Sequence, residues 1–187
     1  MYFNGLLYVL RRNGGIVAWD VNDLPLNEAT QVAPPFGVFL LRAPQPTAYW
    51  FSRKWYLVES SGDLLQVLLW FREMWERRNT FDSASCSVCR LDQSSRTWVE
   101  VESLPGRVLF LGHNSAISLS ARDFPEFREN SVYFGEYFWE GWLEGEANVG
   151  HQNLGVFNLE ERRFVRYSSC ALQRIKPPLV WVVPNFR

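Results

Sequence analysis

Residues 56–65 read YLVESSGDLL, and residues 8–17 read YVLRRNGGIV. Each is an apolar strand, a turn containing Gly and a second apolar strand, the pattern of a β-hairpin. The two copies lie at a constant offset of 48 residues. A second pair aligns further along. VCRLD (88–92) followed by WVEV (98–101) matches VFNLE (156–160) followed by FVRY (164–167), at an offset of 68 before the turn and 66 after it. Val99 and Val101, like Val165 and Tyr167, alternate with Glu100 and Arg166 as half-buried strands do. A third hairpin start, VLFLG (108–112) then AISLS (116–120), lies between the two copies. Four strands per period of roughly 40–50 residues is the signature of β-propeller blades. The expected fold is all-β, a partial propeller of about three four-stranded antiparallel blades plus a C-terminal strand. Residues 1–187 form one domain in this reading, with blade-like units at about 1–50, 51–105 and 106–187.

Some stretches break the pattern. From Leu64 to Arg78 the chain is apolar and then amphipathic, with Leu68, Phe71, Met74, Trp75 and Arg78 at helical spacing. A short helix near 68–78 and a long β-arm both fit. Pro34, Pro35, Pro44 and Pro46 mark a loop or edge strand before the second unit. Pro177 and Pro178 mark a similar break before a last strand at Leu179–Val183. The third unit is stretched by an insertion, read as Phe134 to Gln152.

Composition bounds the function. The 187 residues carry 19 Lys and Arg against 20 Asp and Glu, a net charge of −1. Sequence-blind binding to nucleic acid needs a basic face, so nucleic acid is not an expected partner. Aromatics make up 16% of the chain, which leans it towards strands. The apolar N-terminal stretch lacks a basic region before it and is ended by Arg11 and Arg12, unlike a secretory signal. No apolar run is long enough for a membrane span, so a soluble cytoplasmic or nuclear protein is expected.

The chemical motifs read as structural. Cys86 and Cys89 form a CxxC, but Cys170, His113 and His151 are not spaced as the second pair a zinc site needs. Residues three apart on a strand also point to opposite faces. The thiols are therefore expected to be structural, with no metal and no cofactor. His113 with Asp123 and one of Ser115, Ser118 or Ser120 offers the residue types of a triad, but types without mutual geometry do not make one. His113 reads as a turn residue, and no catalytic residue is assigned. Asp20, Asp23, Asp63, Asp92 and Asp123 sit at or beside expected turns, where a carboxylate accepts from local backbone N–H groups.

Several motifs then agree in order with a known family. LVESSGDLLQV (57–67), LDQSSRTWVEVESLPGRVLFLGHNSAISLSARD (91–123), DFPEFRENSVYF (123–134), GVFNLE (155–160) and the tail PPLVWVVP (177–184) resemble the plant KIB-type β-propeller domain of F-box proteins, over about residues 50 to 187. The resemblance implies a propeller and a non-enzymatic protein-interaction role, that of a ubiquitin-ligase substrate receptor. Members usually carry an N-terminal F-box that docks on the ligase adaptor. Here Met1 leads directly into a strand, so the expectation is a truncated member lacking the F-box, without the adaptor as a partner. A ring of six or more blades needs well over ~200 residues, so open edges and self-association enter the expectation.

The insertion holds the candidate contact residues. Phe138, Trp139, Trp142 and Leu143 stand among Glu136, Glu140, Glu144 and Glu146. One reading is a surface loop whose aromatics fold back on the blade, and the other is an acidic-rimmed protein-binding patch, since interface hot spots favour Trp. The competing functional reading is a cryptic hydrolase or small-ligand-binding propeller acting at the channel mouth, because fold does not fix function.

Overall fold

The computed structural model describes residues 1–11, 13–22, 30–33, 49–74, 81–112, 115–138 and 151–167. These residues form thirteen strands and no helix. The first sheet contains β1 (Tyr2–Phe3), β2 (Leu6–Leu10), β3 (Ile16–Asp20) and β4 (Thr30–Ala33) in chain order. The second contains β5 (Tyr49–Ser60), β6 (Asp63–Met74), β7 (Phe81–Asp92) and β8 (Thr97–Val101), also in chain order. The third contains β9 (Arg107–Leu111), β10 (Ala116–Ser120), β11 (Ser131–Phe138), β12 (His151–Asn158) and β13 (Arg163–Tyr167), in the order β10-β9-β11-β12-β13.

Local chemistry sets the turns. Asn4 and Gly5 between β1 and β2, and Ser61 and Gly62 between β5 and β6, all have positive φ. Two such residues in succession give the type I′ twist that matches a hairpin. At Asp92 the carboxylate accepts from the backbone N–H groups of Ser94 (2.9 Å) and Ser95 (3.3 Å). Those bonds, with one from the Ser94 hydroxyl first among them, hold its carboxyl down at about 2. Asp20 makes the same kind of turn, accepting from Asn22 N at 2.9 Å. Asn130, with φ 57°, is a buried hub. Its Oδ1 accepts from Leu104 N (2.5 Å), its N–H donates to Arg107 O, and its carbonyl accepts from Leu159 N.

The sheets stack, and the second is covered on both faces. Along β6 the alternation is complete: Leu65, Val67, Leu69 and Phe71 pack against Leu109, Leu111, Val132, Phe134 and Phe157 of the third sheet. Leu64, on the opposite face, packs with Tyr8, Ile16 and Ala18 of the first sheet. A strand buried on both faces reads as a continuous apolar run. That is the physical reason the helical spacing near 68–78 misleads. The segment is the long arm: β6 continues as strand to Met74, and residues 75–80 lie outside the described residues.

Three further expectations change. The offset of 48 matches β2–β3, the second and third strands of their sheet, with β5–β6, the first and second of theirs. The likeness is therefore one of hairpin chemistry and not of position, and β1, directly after Met1, precedes the first hairpin. The third sheet is not four antiparallel strands. It has five, and β11 runs parallel to β9. Finally, Phe134 does not begin an insertion. It sits within β11, fully buried, and β11 pairs with β12 from Ser131↔Asn158 to Phe138↔His151. The C-terminal strand expected at Leu179–Val183 lies outside the described residues. The later repeat does match by position, since β7–β8 and β12–β13 each end their sheets.

Candidate functional site

β11 and β12 flank, in the chain, the segment singled out in the sequence. The root of this strand pair is fixed by aromatic packing. The Phe134 ring stacks on Phe164 (centroids 5.9 Å apart, planes at 17°) and meets Phe71 edge-on at 5.5 Å. Gly155 opposes Phe134 in the register, and a Cβ there would come within 2.6 Å of Phe164 and 2.7 Å of Phe134. Glycine is thus required for the rings to close over β12. At the far end, Phe138 is the last residue of β11 and pairs with His151. Trp139, Trp142 and Leu143 lie outside the described residues, within the connection between these paired ends.

A cavity of about 350 Å³ lies where the three sheets meet, lined by Tyr8 and Leu10 of β2, Lys54, Trp55, Tyr56 and Leu57 of β5, and Gly112, Ser115 and Ala116 around the β9–β10 turn. Two buried hydroxyls on its wall, Tyr56 Oη and Ser115 Oγ, have no hydrogen-bond partner among the described residues. Behind it the first two sheets are clamped together. Gly14, with φ +83°, brings its backbone so close to Trp55 that a Cβ would lie 2.8 Å from the indole. The Gly14 carbonyl accepts from Gln66 Nε2 at 2.6 Å. Gln66 is fully buried, and its role is not legible in the sequence, because a polar residue within an apolar run is visible as a partner only once the facing backbone is placed.

Among the described residues, Ser118, Ser120 and Asp123 each take a structural partner. Ser118 Oγ is shared with Ser60 Oγ (2.7 Å) and accepts from Arg107 Nη2 (2.9 Å), so it ties the second sheet to the third. Ser120 Oγ accepts from Arg122 N, and Asp123 is an exposed turn residue whose N–H donates to Ser120 O. His113 lies outside the described residues. Cys86 faces the third sheet, whereas Cys89 pairs with Gln66 on the other side of β7. Burial pushes both thiols up, Cys89 to about 12, with Glu100 adding to the rise. A thiol so shifted carries little thiolate near neutrality. Among the described residues no three His, Cys, Asp or Glu side chains cluster as metal ligands. No helix among them is long and apolar enough to cross a membrane.

A family model described as the KIB1-4 beta-propeller matches residues 1–158. The match takes in the first sheet, which the quoted motifs did not cover, and stops short of the tail at 177–184. An F-box/kelch-repeat protein of Arabidopsis thaliana is 32% identical over 143 residues, covering 71% of this chain and 31% of that protein. The F-box protein SKIP23 of Arabidopsis thaliana is 26% identical over 206 residues, covering all of this chain and 46% of SKIP23. A putative F-box protein of the same plant is 28% identical over 170 residues, covering 89% of this chain and 42% of the relative. The chain thus spans less than half the length of these curated relatives. No solved structure matches.

Proposed function

The chain belongs to the KIB1-4 β-propeller family, and from that premise we propose that it is a non-enzymatic protein-interaction module. It resembles the propeller part of plant F-box proteins, and its role is to hold a protein substrate. The contact surface in this reading is Phe138, Trp139, Trp142 and Leu143, with the neighbouring glutamates forming a polar rim. One observation supports the reading: β11 and β12 pair out to Phe138↔His151 on a root locked by Phe134, Gly155 and Phe164, and the sequence between them is acidic and Trp-bearing. Loops on rigid scaffolds are where binding residues concentrate, and Trp residues in an interface centre contribute disproportionately. The partner in this reading is a protein other than the ubiquitin-ligase adaptor.

The test is capture from plant extract by the wild-type protein and by the double variant Trp139→Ala and Trp142→Ala. Captured protein should fall by at least about tenfold, as expected for hot-spot residues worth 2 kcal/mol or more. The thermal unfolding midpoint should stay unchanged. Equal capture by the two proteins would remove this surface from the proposal, and direct recovery of the adaptor by wild type would contradict its exclusion.

A further inference from the structure

The two outer sheets each turn an apolar face away from the second sheet. In the third sheet the register sets Ile117, Phe110, Tyr133, Val156 and Val165 side by side, one from each of its five strands. Their chain neighbours Leu109, Val132, Phe157 and Phe164 pack against the second sheet, so strand alternation aims this row the other way. Phe127 covers Phe110 and Tyr133 edge-on, while Val165 is 42% exposed and Ile117, Tyr133 and Val156 are half-buried. In the first sheet Tyr8, Ile16 and Ala18 face the second sheet. The opposite face carries Tyr2, Leu7 and Trp19 in one row and Val9 and Val17 in the next. There Tyr2 is 63% and Val9 41% exposed, Leu7 and Trp19 are half-buried, and Val17 is buried. Contiguous apolar rows of this kind mark interaction surfaces.

We propose that two copies of this chain associate head to tail, the outward face of the first sheet in one copy stacking on the outward face of the third sheet in the other. The stack itself supplies the partner. Within one copy each junction joins one face of a sheet to the opposite face of the next, so the two ends are of opposite kinds. The head of one stack continues the tail of another. Such contacts are heterologous, and they close into a ring when the rotation allows. Two copies of the three sheets formed by the described residues give six, within the range of about four to eight blades that propellers use. The proposal rests on family membership in the propellers and is independent of the role given to residues 138–143.

Light scattering coupled to size exclusion reads the mass directly. Wild type should approach twice 21.9 kDa as concentration rises. Val9→Asp and Val165→Asp, each at an already exposed position, should each weaken the association by tenfold or more while keeping the strand circular dichroism of wild type. An equimolar mixture of the two variants should recover dimers, because one junction then joins two native faces. A monomeric wild type at every concentration overturns the proposal whatever the variants do. So does a dimer that survives either substitution, or a mixture that stays monomeric.

Discussion

The second sheet meets its two neighbours in different ways. Against the third sheet it presents Val58, Leu65, Val67, Leu69 and Phe71, and the interface is closed by Phe134 packed between Phe71 and Phe164. Against the first sheet the buried set is small, Phe3, Tyr8, Ile16 and Ala18 with Leu64 and Leu91, and a polar clamp from Gln66 to the Gly14 carbonyl sits among them. The first junction is held by apolar volume and ring geometry. The second depends on one close backbone approach and one buried hydrogen bond. Volume-based junctions lose stability through cavities, whereas a close approach loses it through any added atom.

That contrast can be broken from either side. Phe134→Ala should have the largest effect, a loss of about 3–5 kcal/mol, because it removes a fully buried ring and leaves a cavity between two sheets. Urea unfolding would measure it, and a loss below about 1 kcal/mol would mean that the third sheet contributes little to the common core. Gly14→Ala adds one methyl group and should still cost about 2–4 kcal/mol, through positive φ and overlap with the Trp55 ring. Here hydrogen exchange should show the first sheet opening before the second and third. Uniform loss of protection over all three sheets would erase the distinction between the junctions.

The smallest effect belongs to neither junction. The Asp92 carboxyl is held at about 2, below the ordinary carboxylate value of about 3.9. A group whose folded value is lowered contributes stability above its unfolded value and loses it as the pH falls through the folded one. Wild type should therefore lose its advantage over Asp92→Asn between about pH 4 and pH 2, read as converging thermal midpoints. A constant difference across that window would show that the Ser94 and Ser95 bonds do not depend on the charge.

Much of the fold is written in short-range patterns. The hairpins at residues 8–17, 56–65, 108–120 and 156–167 are legible because each turn and each alternation is local. The five-stranded third sheet was not, since β11 joins β9 by a parallel pairing that no hairpin signal announces. The long β6 arm was ambiguous for a different reason: burial on both faces erases the period of two. Of the candidate contact residues, the sequence marked their type and spacing. The structure adds that Phe138 ends the paired part of a hairpin whose root is fixed by Phe134 and Gly155.

By itself the sequence determined the all-β class, the hairpin units, the turn chemistry and the family likeness, because these depend on residues near one another in the chain. Tertiary structure alone decided that Gln66 clamps Gly14 and that Ser118 bonds Ser60 and Arg107. The physical reason is separation along the chain. Gln66 and Gly14 lie 52 residues apart, and nothing in either local pattern specifies which sheets stack or which polar atom will face a closely approaching backbone.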